Sequence, residues 1–143
     1  MKRLFPLFFL LPILPFLLGM GSLTGGDSSG KIPVPEKNFT ATFVDQMDVM
    51  TECSSVSIEG ETFVEGKIGD GTFTISFDNI NYVLFLFKDG SLKGIVKLHD
   101  GKTVELVLNK NHKAYGRTKY GAFHIKLPDL KKIIIGSSPQ ILD

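Results

Sequence analysis

The sequence predicts an all-β domain made of two tandem, diverged repeats of about 45 residues, folded as a pseudo-twofold β-sandwich or barrel of roughly eight to ten strands. The first observation behind this prediction is an internal repeat with a spacing of 50 residues. The second is a hydrophobic pattern that alternates over short runs and shows no sustained helical period. The third is a turn signal, Gly or Asp-Gly, about every ten residues, a spacing typical of sandwiches and barrels.

The repeat is clearest between residues 71–85 (GTFTISFDNINYVLF) and residues 121–135 (GAFHIKLPDLKKIII). Both stretches begin with glycine, and an earlier glycine followed by a cation precedes both at the same distance. The aligned apolar pairs are Phe73 with Phe123, Ile75 with Ile125, Phe77 with Leu127, Ile80 with Leu130 and Val83 with Ile133. Two unrelated amphipathic strands would share the alternation but not the glycines, so we interpret the two stretches as copies of one unit.

Each copy opens with a predicted β-hairpin. The hairpin strands are residues 39–44, 49–53, 95–98 and 103–108. In the second copy the turn contains Asp100-Gly101, a strong signal for a type I′ turn. The hairpins are aligned by pairing Asp45 with Asp100, Phe43 with Leu98 and Val49 with Val104. The repeats therefore cover residues 39–87 and 94–136.

The copies differ in length after the hairpin. Residues 54–65 stand where the second copy has only residues 109–115, which predicts a loop extension in the first copy. Later in each copy, a short polar turn is expected to place Ile80 or Leu130 under the sheet before the last strand. In the first copy this last strand is apolar on both faces, as a central strand would be. The predicted core is Phe43, Phe73, Ile75, Phe77, Ile80, Val83, Val96, Leu98, Val104, Phe123, Ile125, Leu127, Leu130 and Ile133.

The N-terminal segment predicts export. Lys2-Arg3 precedes an apolar run over residues 4–18, which is shorter than the roughly 20 residues of a membrane-spanning helix. We interpret residues 1–21 as a signal peptide, with an N-terminal signal anchor as the alternative, residues 22–38 as a flexible linker and residues 137–143 as a tail. The expected location is periplasmic or extracellular, with membrane contact only through an uncleaved N-terminal segment.

Charge divides unevenly between the two copies. Residues 22–87 contain three Lys and Arg against ten Asp and Glu, a net charge of −7, whereas residues 88–143 contain eleven against five, a net charge of +6. Such a division favours electrostatic association, either between copies of the chain or within one molecule. It also fits a partnership with another envelope protein through faces of opposite charge.

The sequence contains no recognisable catalytic or metal-binding motif. His99, His112 and His124 lack the close spacing of a metal pair, and the serines lack a nucleophile-elbow context. The single cysteine, Cys53, excludes an internal disulfide and reads as a small buried apolar side chain, with a disulfide to a partner as the alternative. We therefore predict a protein that is not an enzyme and needs no cofactor or metal.

Residues 109–120 (NKNHKAYGRTKY) are predicted to form a basic and aromatic loop, and they are the stretch with the most distinctive chemistry. Cations interleaved with aromatic side chains are typical of sites for phosphate, anionic glycans or single-stranded nucleic acid. The candidate ligand-binding residues are Lys110, Lys113, Tyr115, Arg117 and Lys119. A solvated loop whose tyrosines close one end of the fold is the alternative. Export argues against nucleic acid as the partner.

The succession of residues 96–102 (VKLHDGK), 116–127 (GRTKYGAFHIKL) and 129–133 (DLKKI) resembles a β repeat of small exported bacterial proteins of unknown function. The resemblance implies a fold and an envelope setting but no activity. The leading functional hypothesis is an exported cell-envelope domain with a non-enzymatic structural or protein-interaction role. The alternative is a binding module that holds an anionic ligand or polymer through residues 109–120.

Overall fold

A computed structural model describes residues 31–136, which form ten β-strands and two short 3₁₀ turns. The strands are β1 (Ala41–Asp45), β2 (Met50–Ile58), β3 (Phe63–Ile68), β4 (Gly71–Ser76), β5 (Ile80–Lys88), β6 (Ser91–Leu98), β7 (Thr103–Leu108), β8 (Lys113–Thr118), β9 (Gly121–Lys126) and β10 (Leu130–Ile135). The predicted signal peptide, most of the predicted linker and the predicted tail lie outside the described residues. Within residues 31–136 no helix has the length and apolar character needed to span a membrane.

All ten strands belong to one antiparallel sheet, which is curled. Their order across the sheet is β4-β3-β7-β6-β5-β10-β1-β2-β8-β9. This arrangement confirms the all-β class and the predicted strand number. The outer strands β4 and β9 share no ladder among the described residues, so the sheet resembles a barrel that is left open rather than two stacked layers.

The two repeats are related by a pseudo-twofold axis. Strands β1–β5 correspond in order to β6–β10. When each strand is replaced by its counterpart, the strand order is the same as the original order read from the opposite edge of the sheet. The axis passes between the central strands β5 and β10, where Val83 pairs with Ile133, its counterpart 50 residues along the chain. The internal repeat predicted from the sequence is therefore the symmetry element of the fold.

The repeats exchange hairpins. The β3–β4 hairpin of the first repeat adds to β7 of the second, and the β8–β9 hairpin of the second adds to β2 of the first. Five of the nine ladders of the sheet join one repeat to the other. Neither repeat is thus a separate layer, and the core is shared between them.

The register of the sheet corrects the alignment of the first hairpins. Phe43 pairs with Ile133 and Val96 pairs with Val83, so Val96 is the counterpart of Phe43, and the predicted match with Leu98 is wrong by two residues. The turns agree with the corrected alignment, which places Asp48 opposite Gly101, because both residues have positive φ. The sequence alignment failed because it matched Asp45 with Asp100. Each aspartate accepts a hydrogen bond from the backbone N–H two residues later, but the two aspartates occupy different positions in their turns.

The extra residues of the first copy lie in a strand, so the predicted loop extension over residues 54–65 is wrong. Strand β2 continues to Ile58, and the register of its ladder with β8 shifts between Ser54 and Ser57. Ser55 has a φ of 49° within this β-bulge. Equivalent residues of the two copies are 53 positions apart before the β-bulge and 50 positions apart after it. The first copy therefore contains an insertion of three residues.

Nine of the fourteen predicted core residues are buried, as expected. These nine are Phe43, Ile75, Phe77, Ile80, Val83, Val96, Leu127, Leu130 and Ile133. Four more are half-buried and pack against the core, namely Leu98, Val104, Phe123 and Ile125. The polar turns that precede the last strands are the 3₁₀ turns Phe77–Asn79 and Leu127–Asp129, and they place Ile80 and Leu130 in fully buried positions, as predicted.

Phe73 is the exception, because 45 % of its surface is exposed. Its counterpart Phe123 stacks on Phe43 with 5.5 Å between the ring centroids. The residue equivalent to Phe43 is Val96, which has no ring to cover Phe73. The prediction for Phe73 was wrong because it assumed that equivalent phenylalanines have equivalent neighbours.

Residues near the end of the predicted linker contact the domain. Lys37 donates a hydrogen bond of 2.7 Å to the carboxylate of Asp78 and so lowers the pKa of that group. The Asn38 side chain accepts a hydrogen bond from the backbone N–H of Ser55 in the bulge. These contacts connect the chain before β1 to the first 3₁₀ turn and to β2.

Cys53 is buried on β2, as predicted, and burial raises the pKa of its thiol to about 11. A thiol reagent at about pH 8 is expected to react at least about a hundredfold more slowly with the folded protein than with the protein in denaturant, because the thiolate is the reactive form. Stopped-flow measurement with an aromatic disulfide checks this expectation. Similar rates in the two states would show that Cys53 is accessible.

Candidate functional site

The candidate residues of the 109–120 stretch lie mainly on a strand rather than a loop. Strand β8 covers Lys113–Thr118, so the prediction of a basic loop is corrected to a short turn followed by an edge hairpin. Ala114 and Gly116 face the core, and the alternation of a strand places Lys113, Tyr115 and Arg117 on the opposite, outward face. Three of the five predicted binding residues are therefore brought together in one row.

The neighbouring strand β9 extends this row. Lys113 pairs with Lys126, Tyr115 with His124 and Arg117 with Ala122, and paired residues project from the same face of the sheet. The centroids of the Tyr115 and His124 rings are 6.2 Å apart. We call the outward surface formed by Lys113, Tyr115, Arg117, His124 and Lys126 the basic face.

The basic face places like charges next to each other without neutralising them. Lys113 and Lys126 stand directly opposite across the ladder, an arrangement that costs stability. The ion pairs found within residues 31–136, Lys37 with Asp78 and Lys131 with Asp48, do not include any cation of the basic face. The three cations are therefore available to an anion from outside the domain.

One carboxylate adjoins the basic face. Glu59 accepts a hydrogen bond of 2.8 Å from the backbone N–H of Lys113, and its own N–H donates to the carbonyl of Lys113. Desolvation of the Tyr115 hydroxyl and the negative charge of Glu59 together raise the pKa of this phenol. Tyr115 consequently stays a neutral hydrogen-bond donor on the basic face at physiological pH.

The other two predicted residues lie beyond the row. Lys119 is in the turn between β8 and β9, with its Nζ 5.2 Å from the centroid of the Tyr120 ring. This turn, together with Arg117 and the start of β2, lines a shallow depression of about 700 Å³. Lys110 is directed away from the row, because its Nζ donates a hydrogen bond of 3.2 Å to the carbonyl of Gly90.

The pseudo-equivalent hairpin β3–β4 provides an internal comparison. Its outward positions are Phe63, Glu65, Lys67, Thr74 and Ser76, where the β8–β9 hairpin has Lys113, Tyr115, Arg117, His124 and Lys126. The formal charge of this set is zero on β3–β4 and +3 on the basic face, with histidine counted as neutral. The fold is the same in both places, so the folding of the hairpin does not require the cations.

Sequence reasoning missed Lys126 as a member of the site. The sequence predicts a loop over residues 109–120, and a loop has no cross-strand partner. The signal that would have identified Lys126 is the alternation of β9 paired with that of β8 across the turn before Gly121. The contact of His124 with Tyr115 depends on the same pairing between β8 and β9.

The three histidines do not come together. His99 is exposed beside a hairpin turn, His112 is half-buried after β7, and His124 lies on the basic face. Among the described residues, no group of three or more His, Cys, Asp or Glu side chains could hold a metal ion.

Comparison with models of known protein families gives a match. A family model whose description reads "Uncharacterised protein" matches residues 35–138, which include all ten strands and the basic face. The search of curated proteins gives no match to the chain, and the search of solved structures gives none either. The match covers nearly three quarters of the chain.

Proposed function

Since the chain belongs to this uncharacterised family, whose description assigns no activity, we propose a function from its surface: a non-enzymatic interaction domain of the cell envelope that holds an anionic polymer on the basic face. The observation that carries the proposal is the internal comparison between the two hairpins. The same backbone is built twice, and only the β8–β9 copy accumulates unpaired cations.

The geometry of the basic face suits an extended ligand. Lys113 and Arg117 lie four residues apart on one strand, a separation of about 13 Å, and Lys126 adds a second row about 5 Å away. Tyr115 and His124 contribute hydrogen-bond donors and aromatic surface between the cations. Carboxylate, sulfate or phosphate groups repeated along a chain would meet several cations at once, whereas one small anion would meet only one or two.

The proposed location follows from the sequence. The cationic start and the apolar run over residues 4–18 support export, and export places the basic face among the anionic polymers of an envelope. A structural or protein-interaction role is compatible with this proposal when the partner carries the anionic surface. The net charge of −7 on residues 22–87 makes a second copy of the chain one such partner.

Removing the three cations tests the proposal. The variant Lys113→Ser, Arg117→Ser, Lys126→Ser is expected to elute from heparin at clearly lower salt than the parent domain. The salt dependence of its heparin affinity should also fall by about two to three released counterions. The matched control, Lys88→Ser, Lys93→Ser, Lys102→Ser, removes the same charge from exposed positions away from the basic face.

Equal losses in the two triple variants would contradict the proposal, because net charge alone would then explain the binding. Light scattering separates the polymer from a second copy of the chain as the ligand. A mass that falls towards the monomer as salt rises to about 0.5 M, in the parent but not in the basic-face variant, would identify the second copy as the partner.

A further inference from the structure

The pseudo-twofold symmetry fails at one seam of the sheet. On one side, β8 pairs with β2 at three positions up to Ile58, and Glu59 continues the contact to Lys113. On the equivalent side, β3 pairs with β7 at a single position, Lys67 with Val107. The backbone of residues 63–65 therefore has no ladder partner on its β7 side.

The three-residue insertion explains this difference. In the first repeat, the extra residues of β2 carry the strand along the whole of β8. The second repeat lacks them, so β7 ends at Leu108 and the chain turns at once, with the N–H of His112 donating to the carbonyl of Asn109. The seam between β3 and β7 consequently opens beyond Val107.

The open seam forms a cavity of about 530 Å³. Its volume lies within the range of sites that hold small molecules, roughly 300–1,000 Å³. The buried side chains of Ile58, Val64, Leu108 and Leu127 provide apolar walls. We call this space the seam cavity.

Acidic groups dominate the rim of the seam cavity. Glu59, Glu61 and Glu65 line it, against one cation, Lys67. Within residues 31–136, the carboxylates of Glu61 and Glu65 take part in no ion pair and no side-chain hydrogen bond. The seam cavity thus combines an apolar interior with carboxylates that have no partner.

We propose that the seam cavity is a binding site for an amphipathic cation, an apolar chain or ring that carries an ammonium group. The apolar part would occupy the space between Val64, Leu108 and Leu127, and the ammonium would meet Glu61 and Glu65 at the rim. No residue of the basic face lines the seam cavity, which takes a ligand of the opposite charge, and Glu59, whose carboxylate accepts a hydrogen bond from the Lys113 N–H, is the residue between the two sites. It does not depend on the function proposed above.

A matched set of probes tests the charge preference. Octylammonium, octanol and octanoate share one apolar chain and differ in head group, and each can be titrated into the ¹⁵N-labelled domain. Octylammonium is expected to shift the amides of residues 63–67 and 107–109 and to bind at least about tenfold more tightly than octanoate. Octanoate binding as tightly as octylammonium, or shifts confined to other residues, would overturn the proposal.

Two variants locate the interaction. Glu61→Gln with Glu65→Gln is expected to remove most of the preference for octylammonium over octanol, because both carboxylates are exposed and their loss leaves the core intact. The control Glu105→Gln changes an exposed carboxylate on β7 outside the seam cavity and should keep that preference. The same loss in the control would overturn the proposal by showing that long-range charge is sufficient.

A third variant blocks the space itself. Val107 lines the seam cavity with 46 % of its surface exposed, so Val107→Phe adds volume at the mouth without disturbing the buried core. All three probes should bind more weakly to this variant, while heparin retention through the basic face stays at the parent value. Unchanged binding of octylammonium to Val107→Phe would place its site elsewhere.

Discussion

Cutting the chain between Asp89 and Gly90 is expected to give two fragments that fold only when they are mixed. These two residues form the exposed two-residue turn between β5 and β6, and both have positive φ, as a type I′ turn requires. The cut leaves one fragment that ends at Asp89 and contains β1–β5 and one that begins at Gly90 and contains β6–β10, so each contains one complete repeat. Neither fragment should show native β-sheet content or dispersed amide signals alone.

The connectivity of the sheet is the reason for this expectation. Within the first repeat, β1 pairs only with β2, β3 pairs only with β4, and β5 has no partner. The second repeat is divided in the same way into β6–β7, β8–β9 and β10. Isolated two-stranded hairpins are marginal in water, and the ladders that unite these pieces all join one repeat to the other.

Far-ultraviolet circular dichroism and size exclusion of each fragment and of the equimolar mixture provide the measurement. The mixture should recover the native spectrum and elute as a complex of one copy of each fragment. Each fragment at doubled concentration serves as the control for self-association. A folded monomer of either fragment would contradict the exchange of hairpins.

The repeat and the core could be predicted from the sequence because they rest on local patterns. Glycine turns and alternating apolar positions are read along one strand, and the match of Val83 with Ile133 identified the pair that lies on the symmetry axis. The exchange of hairpins could not be predicted in this way. The β3–β4 hairpin has the same alternation whether it adds to β2 or to β7, so the choice of partner depends on contacts distant in sequence.

The candidate site was predicted in part for the same reason. The cations of β8 lie close together in the sequence and can be recognised there, whereas Lys126 lies beside them only because of the register between β8 and β9. The seam cavity was beyond reach because it depends on a three-residue difference between strands that the sequence alignment treated as a longer loop. Lys126 and the seam cavity were both missed because they depend on which strands pair and in which register, and a single sequence does not show this directly.

Replacing Gly116 by alanine is expected to destabilise the domain by about 1–3 kcal/mol, and valine should cost more. A Cβ atom at this position would lie 2.6 Å from the Cβ of Cys53 and 2.9 Å from its Sγ. Gly116 is on β8 of the exchanged hairpin and Cys53 is on β2, so the contact lies at the junction of the repeats. A Cβ atom added at the equivalent Gly66 would lie 2.8 Å from the Cβ of Leu106, so both junctions need the same close approach.

Equilibrium urea denaturation of the Gly116→Ala variant measures this cost. The control is Gly71→Ala, where the nearest atom to a new Cβ is the carbonyl oxygen of Ile68 at 3.7 Å, an ordinary contact. Alanine suits a strand better than glycine does, so Gly71→Ala should be neutral or stabilising by up to about 1 kcal/mol. A Gly116→Ala variant as stable as this control would show that β2 and β8 can move apart without loss.

A second substitution tests whether the close approach itself is the cause. Cys53→Gly removes the two nearest atoms that the new Cβ would meet, so adding it to Gly116→Ala should cost less than adding it to the parent domain. The difference between these two costs is the coupling energy of the junction. A coupling energy near zero would mean that Gly116 is required for another reason, such as the 3.3 Å distance that an added Cβ would have from the ring of Phe43. Strong coupling would instead identify the glycine of each exchanged hairpin as the residue that lets the two repeats share one core.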